Sequence, residues 1–230
     1  MNQKTMGVVL AHGAWMDGSS WNKVIALLRK EGVRAVAAAL PMTSFEEDVK
    51  ALESAVERLG TDAVLVGHAY AGAVIGAAKS GKVKGLVYVA GLAPDEGETV
   101  ADVFGRGEPD PRAPKLAPDS HGMIYLPDQA FAAAFAQQAT ADEQAGLAAV
   151  QRPIAPGCIM VPMTRATWRH LPSWYLIAEE DRMIARANQR FMAERMGAKI
   201  SSHAVDHVPN ITAPQAVVQT VLEALRGVAG

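Results

Sequence analysis

The sequence predicts an α/β fold, a mostly parallel six-stranded sheet with helices on both faces. Short apolar runs of strand length, of which MGVVLAH and VRAVAAAL are the first two, alternate with helical patterns through the first 90 residues. Both runs are almost continuously apolar, as buried parallel strands are. Strands that alternate with helices in this way indicate a parallel sheet covered on both sides.

The first two helices are indicated by signals at their ends. The first is predicted to begin at a cap formed by Ser19 or Ser20. The second begins with a capping box of Ser44 and Glu47 and stops at Gly60. An apolar stripe at helical spacing runs along the second helix and consists of Phe45, Val49, Leu52, Val56 and Leu59.

Four further apolar runs complete the predicted sheet. In chain order they are TDAVLVG, KVKGLVYVAG, SWYLIAEED and AKISSHAV. A helix is predicted over 186–196, between the last two runs, and a closing helix over about 214–226. Together with the first two runs they give the six strands.

A proline-rich segment between residues 92 and 172 interrupts the alternation. It carries ten of the thirteen prolines of the chain. Two helices are predicted inside it, one after Asp128 and one after Thr140, the second with a capping box of Thr140 and Glu143. Because long irregular insertions in compact domains are usually functional, we expect residues 1–230 to form one domain with a small helical lid over about 92–172.

Composition restricts the class of protein. The 230 residues are half apolar and carry a formal net charge of −2, which gives no electrostatic reason to expect a nucleic-acid or membrane partner. The single cysteine, Cys158, excludes an internal disulfide framework and suits a reducing compartment. With too short an apolar N-terminal stretch for a signal peptide, the chain is expected in the cytoplasm. The sequence leaves open whether it forms a homodimer.

The segment VLVGHAYAGAVIG, residues 64–76, has the outline of a turn that displays a catalytic serine. An apolar strand runs through Gly67 and small residues directly into a helix, as such a turn requires because the two backbones approach closely. The position at which the nucleophile is expected is occupied by Ala69. The sequence therefore combines the geometry of a nucleophile turn with a side chain that has no hydroxyl.

Two further strand ends carry groups that would complete a hydrolytic triad. Parallel sheets of this kind place their sites at the carboxyl ends of the strands. One strand ends in Glu179, Glu180 and Asp181, and the last strand is followed by His207. A hydroxyl nucleophile needs a histidine to accept its proton, and the histidine needs a buried carboxylate to hold its tautomer. Asp181 has three rivals as the acid, namely Glu179, Glu180 and Asp95, which follows the fourth strand.

The chain resembles the α/β-hydrolase superfamily in four motifs and in their order. They are HGAW, GHAYAG, YLIAEEDRMI and DHVP, which together span nearly the whole chain. Within that superfamily the chain is similar to small bacterial esterases that begin with HGAW and are related to hydroxynitrile lyases and plant methylesterases. The resemblance implies that Asp181 is the triad acid and His207 the base. It also implies that the N–H groups of Ala14 and Tyr70 form the oxyanion hole.

The chain departs from that family pattern at two positions. The serine of G-x-S-x-G is Ala69, and the final glycine is Ala71, which is tolerable because Gly72 adjoins it. Three hypotheses explain Ala69. In the preferred one, the serine of an esterase was replaced to obtain an inactive variant. In the others, His207 drives lyase or dioxygenase chemistry without a nucleophile, or the protein only binds a small molecule.

The predicted substrate is a small, mainly apolar carboxylic ester that the serine form would hydrolyse through an acyl-enzyme. Trp15 and Met123 are the predicted substrate-binding residues. Other apolar side chains expected near the pocket are Met16, Tyr125, Met160, Met163 and Trp168. The sequence contains no Cys/His metal-ligand spacing and no dinucleotide-binding glycine pattern, so no cofactor and no metal are expected.

Overall fold

A computed structural model describes residues 6–229, and positions 1–5 and 230 of the predicted domain lie outside the described part. Its six strands are β1 (Gly7–Ala11), β2 (Ala35–Ala38), β3 (Ala63–His68), β4 (Val83–Val89), β5 (Ser173–Ala178) and β6 (Lys199–His203). They form one sheet in the order β2-β1-β3-β4-β5-β6, and every neighbouring pair is parallel. The predicted α/β class with a six-stranded sheet is confirmed.

Nine α-helices surround this sheet in the described residues. They are α1 (Asn22–Lys30), α2 (Phe45–Leu59), α3 (Ala71–Gly76), α4 (Val100–Phe104), α5 (Asp128–Ala130), α6 (Ala141–Val150), α7 (Arg186–Arg195), α8 (Pro209–Thr212) and α9 (Pro214–Ala229). α5 continues as a π-helical segment over Phe131–Phe135. No helix within 6–229 has both the length and the apolar character needed to cross a membrane.

The central strands separate two apolar cores. Along β1 the side chains alternate: Val8 and Leu10 belong to one core, whereas Val9 and Ala11 belong to the other. This follows from the period of two in a strand. The helices α1 and α9 pack on the first core, and α2 and α3 pack on the second. Helices therefore cover both faces, as the continuous apolar strands predict.

VRAVAAAL forms a strand as predicted, but the prediction that this strand is buried is wrong. In β2 only Ala38 is buried, and the three preceding residues are partly exposed. The cause is the order of the strands, because β2 lies at an edge of the sheet and pairs only with β1. β6 at the opposite edge is more exposed still. Position in the sheet, rather than local composition, decides how deeply a strand is buried.

The helix ends agree only in part with their predicted signals. Asp17, and not Ser19 or Ser20, caps the first helical turn by accepting the N–H of Ser19. Ser44 caps α2 by accepting the N–H of Glu47 at 3.2 Å, while the Glu47 carboxylate accepts from a lysine one turn later. Only the serine half of that capping box therefore forms within 6–229.

The segment between β4 and β5 contains α4, α5 and α6, of which α4 was missed by the sequence analysis. The capping box predicted at the start of α6 is confirmed, since Thr140 and Glu143 exchange both hydrogen bonds. α4 begins with a similar box, in which Thr99 pairs with Asp102. That threonine and aspartate, three residues apart, were the signal that could have predicted α4. We call residues 92–172 the insert, and its role as a lid remains a prediction.

Helix α3 lies against the chain that leaves β4, with main chain touching main chain. A Cβ placed on Gly72 would lie 2.5 Å from the carbonyl oxygen and 2.8 Å from the nitrogen of Leu92. Neither atom can move without displacing the strand end. Gly146, in the exposed helix α6, has nothing within 4 Å of the same virtual Cβ.

We therefore expect Gly72→Ala and Gly146→Ala to have opposite effects on stability. Gly72→Ala should lower the free energy of unfolding by about 2 kcal/mol or more, because the methyl group forces the backbones apart. Gly146→Ala should raise it by about 0.5–1 kcal/mol through helix propensity. Urea unfolding followed by circular dichroism measures both. Equal effects of the two substitutions would contradict this packing.

A salt bridge between the insert and α1 predicts a pH-dependent contribution to stability. Lys23 Nζ lies 2.7 Å from the Glu143 carboxylate and, with the Thr140 N–H, lowers the pKa of Glu143 from 4.5 to about 2. A depressed carboxyl pKa stabilises the fold above pH 4.5, and this contribution is lost as the pH falls towards 2.

Glu143→Gln should accordingly be less stable than the parent at pH 7, by less than about 1 kcal/mol because the pair is accessible to water. The difference between the two proteins should shrink as the pH falls below 4.5. Urea midpoints at pH 7, 5.5, 4.5 and 3.5 measure it. A difference that stays constant over this range would show that the pair contributes through packing only.

Candidate active site

The turn between β3 and α3 holds Ala69 in a strained backbone conformation. Its φ is +48°, in the left-handed region that residues with a Cβ rarely adopt. The Ala69 carbonyl accepts the N–H groups of Gly72 and Leu92, which fixes the turn. At Gly67, just before it, a Cβ would meet the Ala71 carbonyl oxygen at 2.6 Å. Small residues at 67 and 72 thus allow the sharp turn that displays position 69.

The HGAW loop, residues 12–15, lies directly against this turn. A Cβ on Gly13 would be 3.1 Å from the Ala69 Cβ and 2.7 Å from His68 Nδ1. His12 holds the loop by its Nδ1, 3.0 Å from the Gly13 carbonyl, and burial lowers the pKa of His12 to about 4. Trp15 has φ +61°, and the insert fixes it by accepting both its main-chain N–H and its indole N–H.

Asp181 and His207 form a buried pair at the carboxyl edge of the sheet. The Asp181 Oδ2 and the His207 Nδ1 are 2.8 Å apart, and the two side chains are 0% and 3% exposed. The carboxylate also accepts the main-chain N–H groups of Met183 and Ile184 and the side chain of Gln189. With Nδ1 donating to the carboxylate, Nε2 of the imidazole is left as the basic nitrogen.

The other candidate acids have different partners. Asp95 accepts hydrogen bonds from Nε and one Nη of Arg169, at 2.7 and 2.5 Å, and this hydrogen bonding lowers the pKa of Asp95. Glu179 binds arginines of α7, and Glu180 accepts from the insert. Among the four carboxylates, Asp181 is therefore the one that contacts the imidazole.

His68, the last residue of β3, supports the main chain of His207. It is fully buried, and its Nε2 lies 2.7 Å from the His207 carbonyl oxygen. The two rings are 4.9 Å apart between centroids. Burial, and secondarily the nearby His207, holds the pKa of His68 well below its usual range. A neutral His68 donating Nε2–H to that carbonyl fixes the position of the loop.

Ala14 and Tyr70 are the two residues whose N–H groups are predicted to form an oxyanion hole. Both residues line the cavity that contains Ala69 and His207. Within residues 6–229, neither N–H donates to a protein acceptor. Both donors are therefore available to an oxygen atom bound in the cavity.

The Tyr70 side chain is anchored by Asp48, a residue that the sequence analysis missed. The Tyr70 hydroxyl donates to the Asp48 carboxylate at 2.7 Å, and the Met42 N–H donates to it at 2.8 Å. Asp48 is fully buried, and burial raises its pKa. Its signal in the sequence was a carboxylate next to the apolar stripe of α2. Cys158 lies beside the pair with its pKa raised by burial to about 12, consistent with an unreactive thiol.

The cavity has a volume of about 220 Å³ and an almost wholly apolar wall. No Asp, Glu, Lys or Arg side chain of the described part of the chain lines it, and His207 is its one histidine. The insert supplies more than half of the wall through Leu92, Val100, Ala101, Phe104, Leu116, Ile124, Ile154 and Ile159. Such a space suits an uncharged apolar group.

Of the two predicted substrate-binding residues, Trp15 lines this cavity and Met123 does not. Ile124 takes the place of Met123, because Ile124 pairs with Ile154 in a short antiparallel bridge and neighbouring side chains in extended chain point to opposite sides. The other expected residues also lie elsewhere. Tyr125 and Met160 are exposed, Met16 lines a separate groove, and Met163 and Trp168 belong to the core.

Comparisons with known proteins agree with this fold. The chain is 27% identical, over 94% of its length and 95% of the relative's, to the alpha/beta hydrolase nvfD of Aspergillus novofumigatus. Among solved structures, a pyrethroid hydrolase from Sphingobium faniae superposes with a TM-score of 0.83 at 19% identity, covering 96% of this chain and 98% of that one. A polyneuridine aldehyde esterase superposes with a TM-score of 0.78 at 18% identity, covering 96% and 99%.

A model of the alpha/beta hydrolase family matches residues 8–220. That range begins in β1, ends in α9 and contains Ala69, Asp181 and His207. The chain belongs to the alpha/beta hydrolase family.

Proposed function

We propose that this protein is a serine hydrolase for small, mainly apolar carboxylic esters, with alanine in place of the nucleophile. The observation that carries the proposal is the buried Asp181–His207 pair, 2.8 Å apart, beside a strained turn that presents position 69 to the same cavity. A hydroxyl at position 69 would complete the set of groups that acyl transfer requires.

In the serine form, the hydroxyl at position 69 would attack the ester carbonyl while His207 Nε2 takes its proton. Asp181 would hold the imidazole tautomer and stabilise the imidazolium. The N–H groups of Ala14 and Tyr70 would bind the oxyanion. Collapse of this intermediate breaks the ester bond, and His207 returns the proton to the leaving alcohol. Water, deprotonated by His207, then attacks the acyl-enzyme and releases the acid.

The site around Ala69 is intact, which supports the hypothesis that the serine of an esterase was replaced over the hypothesis that the protein carries out no reaction. Three features serve chemistry at position 69. They are the Asp181–His207 pair, the two N–H groups without a protein acceptor in 6–229, and the small residues of the turn. A change from serine to alanine removes one oxygen and leaves these groups in place. The names of the pyrethroid hydrolase and the esterase among the similar structures are in keeping with an ester substrate. We place the enzyme in the cytoplasm, in keeping with its single cysteine.

Ala69→Ser should raise the hydrolysis of p-nitrophenyl butyrate by about 10⁵-fold, because loss of a triad nucleophile costs on the order of a million-fold in turnover. Release of p-nitrophenol measures the rate. The control is Ala69→Ser combined with His207→Ala, which should return the rate to that of the parent. A serine form no faster than the parent would refute the proposal.

An assay of the parent chain distinguishes the alternative chemistry, for which the missing hydroxyl at Ala69 is the supporting observation. If His207 drives a lyase or dioxygenase reaction without a nucleophile, turnover of a suitable substrate should occur in the parent chain and vanish in His207→Ala. A protein that only binds its ligand would show ligand-induced stabilisation and no turnover in either form.

The apolar wall predicts discrimination against charged acyl groups. In the serine form, kcat/KM for p-nitrophenyl valerate should exceed that for the mono-p-nitrophenyl ester of glutaric acid by about a hundredfold or more. The two acyl chains have equal length, but the second would place an unpaired carboxylate against apolar side chains at a cost of several kcal/mol. Initial rates at pH 7.5 give the ratio. A ratio near one would show that the acyl group binds outside this cavity.

A further inference from the structure

One short segment of the insert, Phe135–Gln138, contacts both loops that carry the catalytic pair. This segment ends the π-helical stretch and turns towards the carboxyl edge of the sheet. The two loops follow different strands, and Asp181 and His207 are 26 positions apart in the sequence. The loops are joined directly by the Glu180 N–H, which donates to the Val205 carbonyl at 3.0 Å, and by the pair itself, and the insert adds a third connection.

On the loop between β6 and α8, which carries His207 and is called the histidine loop, the contact is made through Asp206, the residue directly before His207. Asp206 is 0% exposed, and its Oδ2 accepts the Gln138 N–H at 2.9 Å. Its Oδ1 accepts the Thr212 hydroxyl at 2.6 Å and the Val208 N–H at 3.3 Å. Burial raises the pKa of this carboxyl, and the three donors offset the loss of water around it.

On the loop between β5 and α7, which carries Asp181 and is called the acid loop, the insert binds the residues on either side of Asp181. Gln137 Nε2 donates to the Glu180 carbonyl at 2.8 Å, and Gln138 Nε2 donates to the Glu180 carboxylate at 2.8 Å. Arg182 donates to the Ala133 carbonyl at 2.7 Å. The acid loop is thus attached to the insert both before and after the catalytic carboxylate.

The first residue of the segment packs on the imidazole itself. Phe135 is fully buried, and its ring centroid lies 5.2 Å from that of His207. The same ring meets Trp15 of the HGAW loop edge-on at 5.9 Å. Three loops of the site therefore meet at this segment.

We propose that Asp206 and the Phe135–Gln138 segment are positioning residues, which align the His207 loop with the Asp181 loop through the insert. The proposal rests on the proposed function for its consequence in turnover. Asp206 is the key member because its buried carboxylate joins the insert to the loop that carries His207. Gln137 makes the corresponding contact on the acid side.

Asp206→Asn removes the hydrogen bond to the insert and keeps the other hydrogen bonds of this side chain, with little change in its shape. The amide oxygen can still accept from Thr212 and Val208, whereas the amide NH₂ would face the Gln138 N–H, donor against donor. Gln137→Ala removes the acid-side bond from a partly exposed position with little risk to folding. The matched control is Gln151→Ala, because among residues 6–229 that side chain bonds only to the main chain of Leu126, inside the insert.

The first readout needs no turnover and uses the chain with Ala69. The proton between His207 Nδ1 and Asp181 should give a far-downfield NMR signal that exchanges slowly, since both side chains are buried. Asp206→Asn and Gln137→Ala should shift this signal and speed its exchange with water at least about threefold. Gln151→Ala should leave it unchanged. An unchanged signal in Asp206→Asn, or equal changes in all three variants, would overturn the proposal.

The second readout is kinetic and uses the Ala69→Ser form. Asp206→Asn should lower kcat about tenfold or more and change KM less than about threefold, because it misaligns the base without altering the cavity wall. An increase in KM alone would assign these residues to substrate access and overturn the proposal. Should Ala69→Ser itself be inactive, the proposed function fails, and the NMR signal still decides whether the segment aligns the pair.

Discussion

The turn from β3 into α3 depends on main chains that approach too closely to leave space for side chains. A Cβ would collide with a carbonyl oxygen at Gly67 and again at Gly72, at 2.6 and 2.5 Å. Gly13 brings the HGAW loop within contact of the Ala69 methyl group in the same way. This crowding holds Ala69 at a positive φ, above the sheet, where the loops after the other strands also converge. The rest of the site is arranged around that point.

The convergence is maintained by buried polar groups that bond mainly to the main chain. His68 holds the carbonyl of His207, Asp48 holds the loop after β2 together with Tyr70, and Asp181 takes two N–H groups of its own loop. In apolar surroundings such bonds are costly to leave unmade, so they restrict each loop to one position. The insert contributes in two ways, since its apolar residues form more than half of the cavity wall and its polar turn contacts the loops that carry Asp181 and His207.

Much of the fold could be predicted because it depends on local pattern. Continuous apolar runs indicated the central strands, and the apolar stripe of α2 and the threonine–glutamate box of α6 are visible in the sequence itself. The prediction failed where burial depends on distant neighbours. β2 is half-exposed because no strand covers its outer side. Met123 was chosen over Ile124 because composition identifies an apolar segment but not which of its side chains faces inwards. Asp48 was missed because its partners lie on other elements.

By itself the sequence determined the strand and helix rhythm, the sharp turn at Ala69 and the chain order of the acid and the base. These features follow from periodicity and from residue size, which act over a few neighbouring positions. Only the tertiary structure decided that Asp181, rather than Asp95, contacts the imidazole, because both carboxylates follow strands of the same edge and only distance separates them. It also decided which insert residues form the cavity wall and that Asp206 joins the insert to the base, since hydrogen bonds and packing between remote segments leave no local pattern in a sequence.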